Sequence, residues 1–268
     1  MAITNFFREL AGIPVHYARP PLAPYGTKGV EYKFFIEKDF EQKLHNSFTE
    51  LFVRADLEDP QVITSAGAYV NKSGYHGLGR AFDLDGIFWK DKIFIANNYP
   101  ADSHFYLGVE AVLRKHFGTV LNYNYNVAHH DHLHIDEGGV IGFNSASRSA
   151  TLFVQDALSK LLDIPTAVDG VYGSQTERNI KQGLEQLNIT GLITTAQVWL
   201  DFLTHLADLA FAKEREKINL KRSPSELLAN LLDLVDLHLQ THPKKKDIES
   251  AINVFANHPD IKKGWEVS

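Results

Sequence analysis

Four of the six residues 129–134 are histidine, in the order His129-His130-Asp131-His132-Leu133-His134. Thirteen histidines in 268 residues would place about 0.3 in a window of six. Such density is what a metal site requires. In an extended strand His132 and His134 point to one face. One can bind an ion while the other, a step away, handles a proton. A hydrolytic ion held by imidazole and carboxylate takes three protein ligands and keeps a fourth position open. The fold therefore has to bring other ligands to this run. The stretch His76-Gly77-Leu78-Gly79-Arg80-Ala81-Phe82-Asp83 supplies them. Its glycines let the chain turn tightly after His76, which returns Asp83, on the strand that follows, toward the same ion. Each part has a plainer reading: a surface or core histidine, adventitious metal binding, a salt-bridged Asp. The combination points to a metal site.

The bulk numbers narrow the alternatives. The chain is 44% hydrophobic and 22% charged, as in soluble globular proteins. Its formal charge of −6 carries no nucleic-acid footprint, which would need a basic face. The one dense basic run, Lys244-Lys245-Lys246, is followed at once by Asp247 and reads as a solvated loop. There is no cysteine, so disulfides and thiolate metal sites are excluded. No window is apolar enough for a membrane span. The N-terminus lacks the basic start and apolar run of a Sec signal, so the expectation is a chain made in the cytoplasm.

Periodicity predicts an α+β chain in three parts. Residues 1–145 are mixed. Phe40, Leu44, Phe48, Leu51 and Phe52 have helical spacing within 35–53, and a second helix is expected over 102–117. Strands are expected over 62–68, 80–88 and 132–136, with Gly74, Gly77 and Gly79 marking a tight loop. This predicts a small antiparallel sheet with flanking helices. Gly142–Ser149 reads as a linker. Beyond it, residues 148–205 are all helical: an amphipathic stretch over 152–162, a capping box at Ser174-Gln175-Thr176-Glu177, and a helix from Thr194/Thr195 through Trp199. Residues 206–268 form a helical tail, with a further capping box at Ser223 and a last helix over 247–256.

The segment GYHGLGRAFDLDGI resembles the H-x-x-G-x-A-x-D signature of zinc D-Ala-D-Ala carboxypeptidases and related peptidoglycan peptidases. Together with HHDHLHID it is most similar to the extensin-like C-terminal family of that group. The ending H-x-D-H-x-H is also similar to that of penicillin-insensitive murein endopeptidases. The resemblance covers about residues 30–140. It implies a zinc peptidase with ligands His76, Asp83 and His134, a catalytic His132, and an assisting His129. Some carboxypeptidase relatives carry Glu three residues before the last ligand; here that position is Asp131, third in order as base after His132 and His129. Gly74 stands where the family often has Ser, with Ser73 shifted by one. Arg80 is a candidate for a substrate carboxylate or equally a structural ion pair. Tyr75, with Tyr69 and Trp89, is a candidate for the cleft wall; Phe82 is another, although core packing is its plainer role.

Downstream, Val154-Gln155-Asp156-Ala157-Leu158, Val168-Asp169-Gly170-Val171-Tyr172-Gly173 and Trp199 resemble a three-helix peptidoglycan-binding domain over about 148–205. The implied function is a zinc-dependent peptidoglycan hydrolase, endopeptidase or carboxypeptidase. Without an export signal it would reach the wall as a phage-type lysin or as an antibacterial effector, with a secretion-machine component or an immunity protein as partner. The other classes are a catalytically inactive wall-binding protein and a metal-storage or sensing protein.

Overall fold

A computed structural model describes residues 3–58 and 60–221. The expected Ser223 and 247–256 helices lie outside the described residues. In chain order the elements are β1 (Phe6–Phe7), β2 (Glu9–Leu10), β3 (Ile13–Tyr17), β4 (Val30–Glu31), β5 (Phe34–Phe35), α1 (Lys38–Ala55), β6 (Val62–Gly67), β7 (Ala81–Phe88), β8 (Ile93–Ile95), α2 (Ser103–His116), β9 (Thr119–Leu121), β10 (Leu133–Asp136), α3 (Arg148–Leu161), α4 (Ser174–Gln186) and α5 (Ala196–Lys221). The chain is mixed α+β, as expected.

The sheet is larger than expected and is not wholly antiparallel. Its order is β2-β3-β6-β7-β10-β9, with β4 beside β3 and β8 beside β7. β3 and β6 are parallel, because α1 lies between them in the chain and supplies the crossover that parallel pairing needs. β1, β2, β4 and β5 have two residues each, too few to show alternation in the sequence.

α1 forms where the apolar spacing places it. The Glu37 side chain caps it, accepting from the N–H groups of Asp39 and Phe40. Phe40, Leu44, Phe48 and Leu51 are fully buried, and Phe48 meets Phe82 of β7 edge to face. Glu50 ties α1 to the end of α2: it accepts from Arg54 Nε at 2.6 Å, from His116 Nε2 at 2.7 Å and from Lys115.

The segment read as a linker is pinned to the core at Phe143 and Ser149, while Asn144, Ser145 and Ala146 are exposed. Phe143 is buried, with its ring near those of Trp199 and Tyr172. α3 starts at Arg148, capped by Ser147. By packing, residues up to Arg215 form one compact unit. Phe105 of α2 meets Phe211 of α5 edge to face, and a Cβ on Gly108 would lie 2.8 Å from that of Ala210. α5 runs unbroken through residues 205 and 206.

The Gln155 and Asp-Gly motifs meet in one hydrogen-bonded knot, with Gln155 and Thr176 buried and Asp169 at the surface. The Gln155 amide donates to Asp169 Oδ1 (2.8 Å), Val171 O (3.1 Å) and Thr176 Oγ1 (3.0 Å), and its oxygen accepts from the N–H groups of Asp169 and Gly170. Gly170 has φ +73°, the left-handed region that favours glycine. The expected capping box at Ser174 does not form. Gly173 is the N-cap residue and, being glycine, has no side chain to cap with, while Ser174 is already the first helical residue.

Two stability outcomes follow from these clusters. Gln155→Ala removes a buried amide and takes a donor from the buried Thr176 hydroxyl, a change costing about 1–3 kcal/mol; urea unfolding should show a loss of that size. Burial alone would raise the Glu50 carboxyl, but His116, Lys115 and Arg54 hold it far below its ordinary 4.5. A depressed folded value means stabilisation present above the ordinary value and lost as pH falls. Glu50→Gln should therefore lower stability at neutral pH and flatten its decline under acid, read by thermal melts across pH.

Candidate metal centre

β7 carries the centre of the site. Its residues alternate, so Phe82 and Leu84 enter the core while Asp83 and Asp85 share the opposite face. β10 pairs with it antiparallel, and the register sets His134 directly across from Asp83. β6 pairs on the other side, with Gly67 opposite Asp83 beyond a register shift. The chain leaving β6 returns through a 3-10 turn at His76–Leu78. That return is tight: a Cβ on Gly77 would lie 1.7 Å from the Lys72 carbonyl oxygen. Gly79 closes the turn at φ +68°.

His76, Asp83 and His134 are thereby brought together, with one ligand atom from each within 4.8 Å of the others, and can hold a metal ion. His76 Nε2 lies 3.2 Å from Asp83 Oδ1 and 3.1 Å from Oδ2. His134 Nδ1 lies 2.8 Å from Oδ1. Ligands about 2.1 Å from one ion in tetrahedral array stand about 3.4 Å apart, so the trio has the spacing an ion needs.

The outer partners fix which nitrogens face inward. His76 Nδ1 donates to the Ala68 carbonyl, leaving the Nε2 lone pair toward Asp83. His134 Nε2 donates to Asp136 Oδ2 at 2.9 Å, leaving Nδ1 as the inward atom. Asp136 is itself held by the Gly138 N–H at 2.6 Å. Burial works against the charge on Asp83, yet His134 and His76 hold its carboxyl far below the usual range. Burial likewise opposes charge on His134, but Asp136 and Asp83 push the ring up to about 9. A largely enclosed carboxylate whose ion-pair partners are imidazoles can seat a cation, and His134 would hold it through Nδ1 in place of a proton.

The remaining histidines differ in their surroundings. His132 precedes β10. Its Nδ1 donates to Asp131 Oδ1 at 2.8 Å, and its Nε2 lies 3.6 Å from Asp83 Oδ1. His129 ends a 3-10 turn over Val127–His129, with its ring centroid 5.2 Å from that of His132 and 5.9 Å from that of His134. Its Nδ1 donates to Asn126 Oδ1 at 2.7 Å. Burial, then the nearby His132 and His134, lowers it to about 4. His130 turns away and stacks on Tyr123, centroids 4.1 Å apart.

Asp131 is not a free carboxylate. Arg19 donates to its Oδ2, and also grips Asp85 through Nε (2.8 Å) and Nη2 (2.7 Å). Burial opposes ionisation of Asp131, but Arg19 and His132 hold it below the ordinary range. Asp85, almost completely buried, is pushed up to about 6 by burial against the pull of Arg19. Sequence reasoning missed Arg19, Asp85 and Asp136. Asp85, the second Asp of the D-L-D segment, and Asp136, the last residue of HHDHLHID, lay inside the motifs, but Arg19 had no local signal.

Arg80 is half-exposed, with Nε 3.7 Å from Glu137 Oε2. Tyr75 is exposed beside Gly138, at the start of the His76 turn, and Tyr69 is half-buried. Phe82 takes the core role, and Trp89 is a core residue instead of cleft wall: it meets Phe52 and Phe105 edge to face.

Gly77→Ala forces the backbone off the Lys72 carbonyl and displaces His76. The expected outcome is loss of metal uptake, read by metal analysis after dialysis, with the far-UV spectrum retained. Residues 63–142, which contain the trio and His129, Asp131, His132 and Asp136, match the family described as the extensin-like protein C-terminus. No curated protein and no solved structure matches the chain.

Proposed function

We propose that this chain is a zinc-dependent peptidoglycan hydrolase that cuts a peptide bond in the stem or cross-bridge. The observation that carries the reading is the placement of His132. Its Nδ1 is tied to Asp131 while Nε2 faces the His76–Asp83–His134 trio. The family match over 63–142 supports the same reading, as does the likeness of these motifs to wall peptidases. Zinc suits a donor set of two imidazoles and one carboxylate with no thiolate. When bound it supplies Lewis acidity and makes water a competent nucleophile near pH ~7.

The chain's own residues supply the rest. His132 Nε2 takes the proton of the attacking water and returns it to the leaving amine. Asp131 fixes the tautomer of His132 and stabilises the charged ring. His129, neutral at physiological pH and committed to Asn126 through Nδ1, offers its Nε2 lone pair to orient the water or the amine. The free face of the Arg80 guanidinium, shared only loosely with Glu137, can take a stem-peptide carboxylate, and Tyr75 forms part of the rim. The α3–α5 half, with its Gln155-bound Asp-Gly turn, serves to hold the enzyme on the wall.

The test is incubation of purified sacculi with the zinc-loaded protein and mass spectrometry of the released muropeptides. His134→Ala should lose stoichiometric zinc. His132→Ala should keep zinc and lose about 10²–10⁴-fold in turnover. Unimpaired hydrolysis by either variant overturns the reading, and so does zinc binding with no peptide cleavage by the wild type.

A further inference from the structure

Arg19 lies outside the family-matched region, in the loop that follows β3, yet its guanidinium reaches the site. Nε and Nη2 clasp the two oxygens of Asp85, and Nη1 donates to Asp131 Oδ2. Nη2 also donates to the Asp131 backbone carbonyl at 3.2 Å. The Tyr25 ring covers the guanidinium at 4.7 Å, and the Tyr25 hydroxyl accepts from the Asn97 N–H at 3.1 Å. Arg19 is thus fixed on three sides.

We propose that Arg19 is a positioning residue for His132, acting through Asp131; the catalytic part of this rests on the peptidase reading above. Asp131 sits on a loop with 41% of its side chain exposed. An exposed carboxylate that held only an imidazole would rotate, and the ring would exchange tautomers. Arg19 anchors both the side chain and the carbonyl of Asp131 to Asp85, which is buried in β7 two residues from Asp83. Oδ2 is thereby engaged and Oδ1 alone is left for His132. An oxygen that only accepts places the hydrogen on His132 Nδ1, so the Nε2 lone pair faces the trio. The bridge between two carboxylates needs a planar fork. A lysine, a single point charge, serves one of them and releases the other.

The test uses full-length protein labelled with 15N-histidine and two-bond 1H–15N spectra in mildly alkaline solution. The His132 signals are identified by their absence in His132→Ala. The wild type should show His132 as the Nδ1–H tautomer. Arg19→Lys, which keeps the charge over buried Asp85, should shift His132 to a mixture or to Nε2–H while the His76 and His134 patterns stay. Asp131→Asn, a change at a partly exposed position, should do the same. An unchanged His132 tautomer in both variants overturns the proposal. On sacculi, Arg19→Lys should lower kcat about 10–100-fold with KM changed less than about two-fold, and the double variant should be no worse than the weaker single. A shifted tautomer with unchanged kcat overturns the catalytic role. A shifted tautomer in a protein whose wild type never cleaves sacculi upholds the Arg19–His132 coupling and removes the peptidase reading.

Discussion

The antiparallel pairing of β7 with β10 is the constraint on which the site depends. It sets Asp83 across from His134, and the two-residue repeat of β7 puts Asp83 and Asp85 on one face. A slip of one residue would send both carboxylates into the core and bring Phe82 and Leu84 to the cleft. The fully buried Phe82 and Leu84 therefore hold the register from behind. The core of α1 and α2 against the sheet is what keeps two ligands fifty residues apart in line.

Around that pair the polar groups are arranged in depth. Each imidazole near Asp83 has its far nitrogen committed: His76 to a backbone carbonyl, His134 to Asp136, His132 to Asp131. Such outer contacts fix tautomer and ring orientation. With the far nitrogens of His76 and His134 committed outward, their inward nitrogens stand beside the Asp83 carboxylate where an ion would sit.

Much of this was legible in the sequence, for identifiable reasons. The trio could be read because its residues lie in two short motifs whose glycines and alternation are local. α1 could be read because Phe40, Leu44, Phe48 and Leu51 repeat over several turns. Arg19 could not, because its two partners lie 66 and 112 residues away and a single arginine after a five-residue strand has no pattern. The parallel β3–β6 pair was hidden for the same reason. Gly142–Ser149 looked like a linker because Ser and Asn dominate it, yet one aromatic residue, Phe143, pins it down. The capping box failed because the helix starts one residue earlier than the pattern implies, with Gly173 as its N-cap.

The contact of α2 with α5 bears on the order in which the protein can mature. The strands and the histidine run leave the ribosome well before Phe211 and Ala210, the residues that cover Phe105 and Gly108. Until then one face of α2 has no partner, and the sheet that rests on α2 lacks its full support. Domains fold as units during synthesis. A nascent chain that already contains His76, Asp83 and His134 is therefore still short of the packing that holds them in place, so the rigidity of the candidate site depends on residues far from it.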